Sequence, residues 1–205
     1  MKQPEMPEGE IDRVAALCNL NILDTPQEER FDRLTRIAQK HFDVPIALVS
    51  IVDSDRQWFK SKQGLDAPQT PRDISFCGHA ILGTDIFYIP NTLEDERFAD
   101  NPLVTGPPDI RFYAGAPLRT QEGIAIGTLC IIDTKPRNIS KQELTILRDL
   151  ADGVEVEIER AHLYKALKTL AYKEQRLHTL METIIDGVIV IDANGHIQSV
   201  NSATE

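Results

Sequence analysis

The 205-residue chain is 41% hydrophobic and 26% charged, which excludes a wholly disordered polypeptide and allows a core that needs no staples. Its 22 basic and 32 acidic residues give a net charge of -10, a field that repels nucleic-acid backbones and anionic lipid. Cys18, Cys77 and Cys130 are far apart and odd in number, which fits a reducing compartment better than a disulfide framework, and no segment approaches the ~20 apolar residues of a membrane span. The expectation is a cytoplasmic chain with no nucleic-acid partner and no membrane contact.

Apolar spacing predicts a first helix over Glu10–Leu20, with Ile11, Val14, Ala15, Leu17 and Cys18 on its buried face. Cys18 reads there as a small buried hydrophobe. Thr25-Pro26-Gln27-Glu28 has the form of a capping box with proline at the first helical position. It opens a second helix that carries Phe31, Leu34, Ile37, Ala38, His41 and Phe42 and stops at Pro45. Ile46–Val52 is a β-branched apolar run of strand length, and residues 57–61 read as its hairpin partner across Asp53-Ser54-Asp55.

Residues 64–72 read as a loop, 74–82 as a short helix and 88–90 as a short strand. Residues 91–109, punctuated by Asn101-Pro102 and Gly106-Pro107-Pro108, read as a long loop of the functional or mobile kind. Two strong strands follow, 111–119 and 124–133, joined through Gln121-Glu122-Gly123. Ser140-Lys141-Gln142-Glu143 is a second capping box, opening a helix with a stripe of Leu144, Leu147, Leu150, Ala151, Val154, Ile158 and Ala161. The alternation from Val154 to Glu159 suits a strand when taken alone, but helical patterns flank it on both sides.

Beyond Ala161, Leu163, Leu170, Leu177 and Ile184 recur every seven residues, with Leu167 and Met181 at intermediate positions and Glu174 as a polar break. This is a short coiled-coil seam. A helix over residues 140–183 would be roughly 60 Å long, so its far half is expected to find a partner outside its own domain. Residues 187–192 and 196–200 read as two strands joined by an Asn194-Gly195 turn. So short a β unit cannot bury a core alone, and the sequence reads as cut inside a second domain.

A series of phrases then carries a resemblance: Ile22-Leu23-Asp24-Thr25, Phe31-Asp32, Pro45 to Ser50, Arg56 to Ser61, and Ser75-Phe76-Cys77-Gly78-His79-Ala80. Asn101-Pro102-Leu103-Val104, Arg111 to Leu118 and Ile126 to Asp133 continue it. Over roughly residues 10–162 the chain resembles the GAF domain family, in particular the bacterial branch that precedes sensor histidine kinases and cyclic-di-GMP cyclases or phosphodiesterases. Asp186 to Asp192, with Gly195, Ile197 and Asn201, resembles the opening of a PAS domain.

The resemblance implies an α+β fold: a central antiparallel sheet of five or six strands, N- and C-terminal helices on one face, a loop-covered small-molecule pocket on the other, and a long C-terminal signalling helix. It implies a GAF domain over 1–162, a linker helix or coiled coil over 163–183 and a truncated PAS beginning over 184–205. It also implies a homodimer through the terminal helices and a non-catalytic regulatory role in bacterial signal transduction.

Cys77-Gly78-His79 invites a nucleophile reading, but positions two apart on a helix point in roughly opposite directions, so a buried thiol beside a helix-start histidine is preferred. Cys77, His79 and Cys130 lack paired metal-ligand spacing, and no metal site is expected. A thiol enzyme like the GAF methionine sulfoxide reductases, acting through Cys77 or Cys130, is the alternative. A bilin site fails because Gly78 separates Cys77 from His79, and no cofactor is named. The candidate ligand-binding residues are Trp58, Phe76, Cys77, His79, Arg111 and Tyr113, with core filling as the simpler role for the aromatics. The candidate dimer and signalling residues are Leu163, Leu167, Leu170, Leu177, Met181 and Ile184.

Overall fold

A computed structural model describes residues 1–183 and 189–200. Helices α1 (Glu10–Leu20) and α2 (Glu29–Phe42) come first, followed by strands β1 (Ile46–Val52), β2 (Arg56–Gln63) and β3 (Gln69–Pro71). Next come α3 (Phe76–Ala80), β4 (Phe87–Ile89) and α4 (Pro102–Thr105), then β5 (Phe112–Arg119), β6 (Ala125–Asp133) and α5 (Lys141–Thr183). The strands form one six-stranded sheet in the order β3-β2-β1-β6-β5-β4, with every adjacent pair antiparallel. The fold is α+β. A separate hairpin, β7 (Ile189–Ile191) and β8 (Ile197–Val200), turns at Asp192 to His196, with Gly195 at positive φ.

The chain divides into two compact units, Met1–Arg160 and Ala161–Glu205. In the first, β1 and β6 are buried along their whole length and β5 nearly so. Side chains alternate across a strand, so both faces of these strands must be covered. Ala47, Val49, Ala114, Ala116, Leu129 and Ile131 face Leu17, Phe31, Ala38, Leu147, Ala151 and Val154 of the helices. Ile46, Leu48, Tyr113, Cys130 and Ile132 face Phe76, Phe98, Val104 and Ile110 from α3 and the loops. Residues 91–109 are therefore a packed cover. Phe98 stacks on Phe76 at 4.2 Å, Asn101 caps α4 through Leu103 N, and Thr92 Oγ1 donates to Ile110 O. Within the stretch expected to be all loop, Gln69–Pro71 pairs with β2 as an edge strand.

Two expectations about the helices are corrected. The second helix starts at Glu29, and Thr25 does not cap it. The cause is Lys60. Phe59 opposes Ser50 while Ser61 opposes Val49, so Lys60 is the extra residue of a bulge and reaches the helix layer with Ser61. Lys60 is 1% exposed, and its ammonium donates at 2.7 Å to Thr25 Oγ1 and Pro26 O and meets Glu28 Oε1 at 2.7 Å. An unpaired buried ammonium costs several kcal/mol, against about 1 kcal/mol for a helix cap, so the lysine claims these groups. At Ser140 the capping box forms: Ser140 N donates to Glu143 Oε2 at 2.7 Å, and Glu143 N to Ser140 Oγ at 3.2 Å.

In α1 the buried face is Arg13, Leu17 and Leu20, while Ile11, Ala15 and Cys18 are exposed. Arg13 sets this rotation. Its Nη1 donates to Val52 O at 2.7 Å and its Nε to Glu10 Oε2 at 2.7 Å. Arg72 also grips Glu10 and donates to Asp53 O at 2.8 Å, and both guanidiniums are 4% exposed. Burial raises the Glu10 carboxyl, but the hydrogen bonds from Arg13 and Arg72 outweigh it and bring it from 4.5 to about 2. Since the folded value lies below the unfolded one, this contribution is complete above about pH 4.5 and is lost as pH falls towards 2. Glu10→Gln should lower the unfolding free energy by about 2 kcal/mol at pH 7. In urea titrations its deficit should close below pH 4.5, and equal stability at pH 7 would count against the clamp.

Candidate functional site

A partly open cavity of about 130 Å³ lies on the loop-covered face of the sheet. Ile46 and Leu48 of β1, Gln57 and Phe59 of β2, and Tyr113 and Ile132 form its sheet side. Leu65, Thr70, Phe76, Cys77, Leu103, Pro107 and Ile110 close it from the loop side. No charged side chain lines it; the polar groups are Gln57 and Thr70 with the Cys77 thiol and the Tyr113 phenol. Gln57 is held by Ser75, whose hydroxyl donates to Gln57 Oε1 at 2.6 Å and accepts from Gly78 N at 2.8 Å, capping α3. Gln57 Nε2 in turn donates to Thr70 Oγ1 at 2.7 Å.

At the inner end of the cavity two thiols meet. Cys77 Sγ on α3 and Cys130 Sγ on β6 are 4.0 Å apart, both buried, and Tyr113 Oη donates to Cys77 Sγ at 3.3 Å. The phenol reaches that sulfur by crossing over Gly115, where a Cβ would lie 2.2 Å from the tyrosine oxygen. Burial raises the Cys77 thiol, but hydrogen bonding from Cys130 and the surrounding hydroxyls outweighs it and holds the thiol below its ordinary value. That same bond to Cys77, with burial, pushes Cys130 well above its own. Thr128 Oγ1 lies two residues before Cys130 on β6, buried beside the sulfur pair.

Of the six candidate ligand-binding residues, the structure brings Phe76, Cys77 and Tyr113 together at this cavity. Trp58 lies on the opposite face of the sheet with the helix-side core, because its neighbour Phe59 takes the cavity-facing register. Arg111 donates to Val104 O at 2.8 Å and Ile110 O at 3.0 Å, bracing the loop. His79 lies in a separate groove with Lys2, Glu5, Phe87 and Arg97, its Nε2 at 3.0 Å from Lys2 O, and burial holds its imidazole below the ordinary value. Cys77 therefore meets Cys130 and not His79. A larger groove of about 580 Å³ along Pro90, Asn91 and Glu94 to Arg97 is open to solvent, and Asp95 and Arg97 occupy each other there. Greater enclosure and apolar lining favour the smaller cavity as the site.

Phe59, the loop residues Leu103 and Ile110, and the pairing of Cys130 with Cys77 were not predicted. Strand parity separates Trp58 from Phe59, but parity alone does not say which face carries a cavity. No group of three or more potential metal ligands occurs among the described residues.

The GAF domain profile matches residues 26–158. The chain belongs to the GAF domain family. It is 45% identical over 152 residues to the cyclic di-GMP phosphodiesterase PA2567 of Pseudomonas aeruginosa, a match covering 74% of this chain and 26% of that protein. The chain thus aligns with about a quarter of that relative's length. The GAF domain of a phosphoenolpyruvate-protein phosphotransferase from Coxiella burnetii superposes with a TM-score of 0.58 at 15% identity, covering 76% of this chain and 96% of that one. A free methionine-R-sulfoxide reductase from Neisseria meningitidis superposes with a TM-score of 0.56 at 16% identity, covering 71% and 87%. At such identities the superpositions show a shared fold.

Proposed function

We propose that this GAF domain is a non-catalytic regulatory module that takes a small apolar ligand in the 130 Å³ cavity and relays its occupancy along α5. The observation that carries this is the recessed, largely apolar cavity on one face of a sheet whose other face carries α5. Its volume is close to the ~150 Å³ that accommodates benzene and below the ~300 Å³ at which drug-sized pockets begin. The ligand class is therefore a compact molecule of one ring or a short chain, with one or two polar groups for Gln57 and Thr70.

The route outward runs along β5. Tyr113 touches the cavity, while farther along the same strand Pro117 O accepts from Arg148 Nη1 at 2.6 Å and Arg119 N donates to Glu155 Oε1 at 2.9 Å, both on α5. A ligand shifts the helix only through its different affinity for two arrangements of this contact.

Beyond the first unit, Leu163, Leu167, Leu170 and Leu177 are 52–65% exposed in the single chain and Met181 is half-buried, while Ile184 lies outside the described residues. An exposed leucine seam on one helix fits a second copy of the same helix, the homodimer proposed here. The β7–β8 hairpin fits the opening of a PAS domain, whose proposed start at 184–188 lies outside the described residues. The location proposed is cytoplasmic and the output a cyclic-di-GMP enzyme or a kinase; the Pseudomonas relative, named a cyclic di-GMP phosphodiesterase, supports the first of these outputs. A second reading, a thiol enzyme acting on a sulfoxide, is favoured by the Cys77–Cys130 approach. It is weakened by the lack of any charged lining group for a zwitterionic amino acid. Turnover of free methionine sulfoxide that vanishes in Cys77→Ser would reverse this preference.

Native mass spectrometry tests the first reading. The expected species is a two-copy particle with one small molecule per chain. Leu170→Glu with Leu177→Glu should yield single copies, whereas Ile110→Trp should lose the small molecule and keep the dimer. A single-copy wild-type particle, or a molecule retained by the filled cavity, contradicts it.

A further inference from the structure

The buried sulfur pair has a chemistry that ligand binding does not use. Cys77 sits on a five-residue helix between loops, Cys130 on a strand buried along its whole length, and their sulfurs stand 4.0 Å apart. A disulfide requires about 2.05 Å, so the two sulfurs need to close by roughly 2 Å, a side-chain rotation or a small movement of α3. Cys77 lines the cavity, and Cys130 lies behind it, so a molecule entering the cavity meets Cys77 first. The remaining groups are arranged for sulfur chemistry. Tyr113 Oη donates to Cys77 Sγ at 3.3 Å, and the buried Thr128 hydroxyl shares the face of β6 that carries Cys130. Core packing alone asks for neither the hydroxyls nor a second thiol.

We propose that Cys77 and Cys130 form a reversible dithiol–disulfide switch, oxidised by a small hydroperoxide admitted to the cavity. The Cys77 thiolate attacks the terminal peroxide oxygen; an S–O bond forms, the O–O bond breaks, and the departing alkoxide or hydroxide takes up a proton. Cys77 is now a sulfenic acid. The Cys130 sulfur attacks it; an S–S bond forms, the S–O bond breaks, and the released hydroxide leaves as water with the Cys130 proton. Two thiols and one hydroperoxide thus give a disulfide, an alcohol or water, and a further water, with two electrons passing from sulfur to the O–O bond. A small dithiol reverses the bond by two exchanges, itself becoming the disulfide. The cross-link ties α3 to β6 beneath the cavity and turns the thiol acceptor of the Tyr113 phenol into a disulfide sulfur. It stands whether or not the cavity takes a regulatory ligand.

Thiol mapping of the whole chain tests this. The reduced protein is treated with hydrogen peroxide, denatured and labelled with N-ethylmaleimide. The labelled thiols should fall from three to one, Cys18, with a Cys77–Cys130 linked peptide after digestion, and dithiothreitol should restore all three. In Cys130→Ser, dimedone should tag Cys77 as the sulfenic acid. Three labels persisting, a linked peptide containing Cys18, or dimedone on Cys130 in Cys77→Ser overturns the switch. If a variant fails to fold, the wild-type peptide map alone decides between these outcomes.

Discussion

A single sheet buried on both faces is the constraint from which the other features follow. The central strands β1, β5 and β6 carry apolar side chains on both sides, and leaving either face wet would forfeit about 2 kcal/mol for each large side chain exposed. Two different covers meet this need. The helices lay continuous stripes against one face: Leu17 from α1, Phe31 and Ala38 from α2, and Leu147, Ala151 and Val154 from α5. The other face is closed by a short helix and loops, pinned at points such as Phe98 on Phe76 and Asn101 at the start of α4. Point attachment fills space less completely than a helix stripe, and the cavity lies where that cover meets the strands.

The polar groups in the interior follow the same logic. Lys60, Arg13 and Arg72 are buried, and each is surrounded by acceptors drawn from distant segments. They fasten loops that carry little apolar surface of their own, at sites where an unpaired charge would cost several kcal/mol. The cavity, in contrast, is lined by no acidic or basic side chain. Its contents therefore communicate through shape and through Tyr113, whose strand is gripped from the other side by Arg148 and Glu155.

Much of the architecture is legible in the chain because the strong signals are local. The 3.6-residue spacing of Phe31, Ala38 and Phe42, the continuous runs Ile46–Val52 and Ala125–Asp133, and the Ser140 to Glu143 box each act within one element. Errors arise where a distant residue overrides a local preference. Thr25 and Glu28 have the pattern of a cap but serve Lys60, which a bulge brings from thirty-odd residues away. Ile11 and Cys18 have the pattern of a buried stripe, but Arg13 turns α1 so that its own guanidinium faces inward. The cavity is half legible: Phe76, Cys77 and Tyr113 lie at predicted strand and helix ends, whereas Trp58 and Phe59 are separated only by which parity faces the loops. Cys130 carries no motif linking it to Cys77, and only the sheet places them together.

An accessible apolar space on the loop-covered side of this sheet is the central claim. Its most direct test is a benzene titration followed in backbone amide NMR spectra of the isotope-labelled protein. Leu48, Cys77, Ile110 and Tyr113 should shift and saturate together, while Ala114, Leu129 and Ala151 on the helix side stay in place. Shifts confined to the helix side, or no saturable shift at the first set, would contradict it.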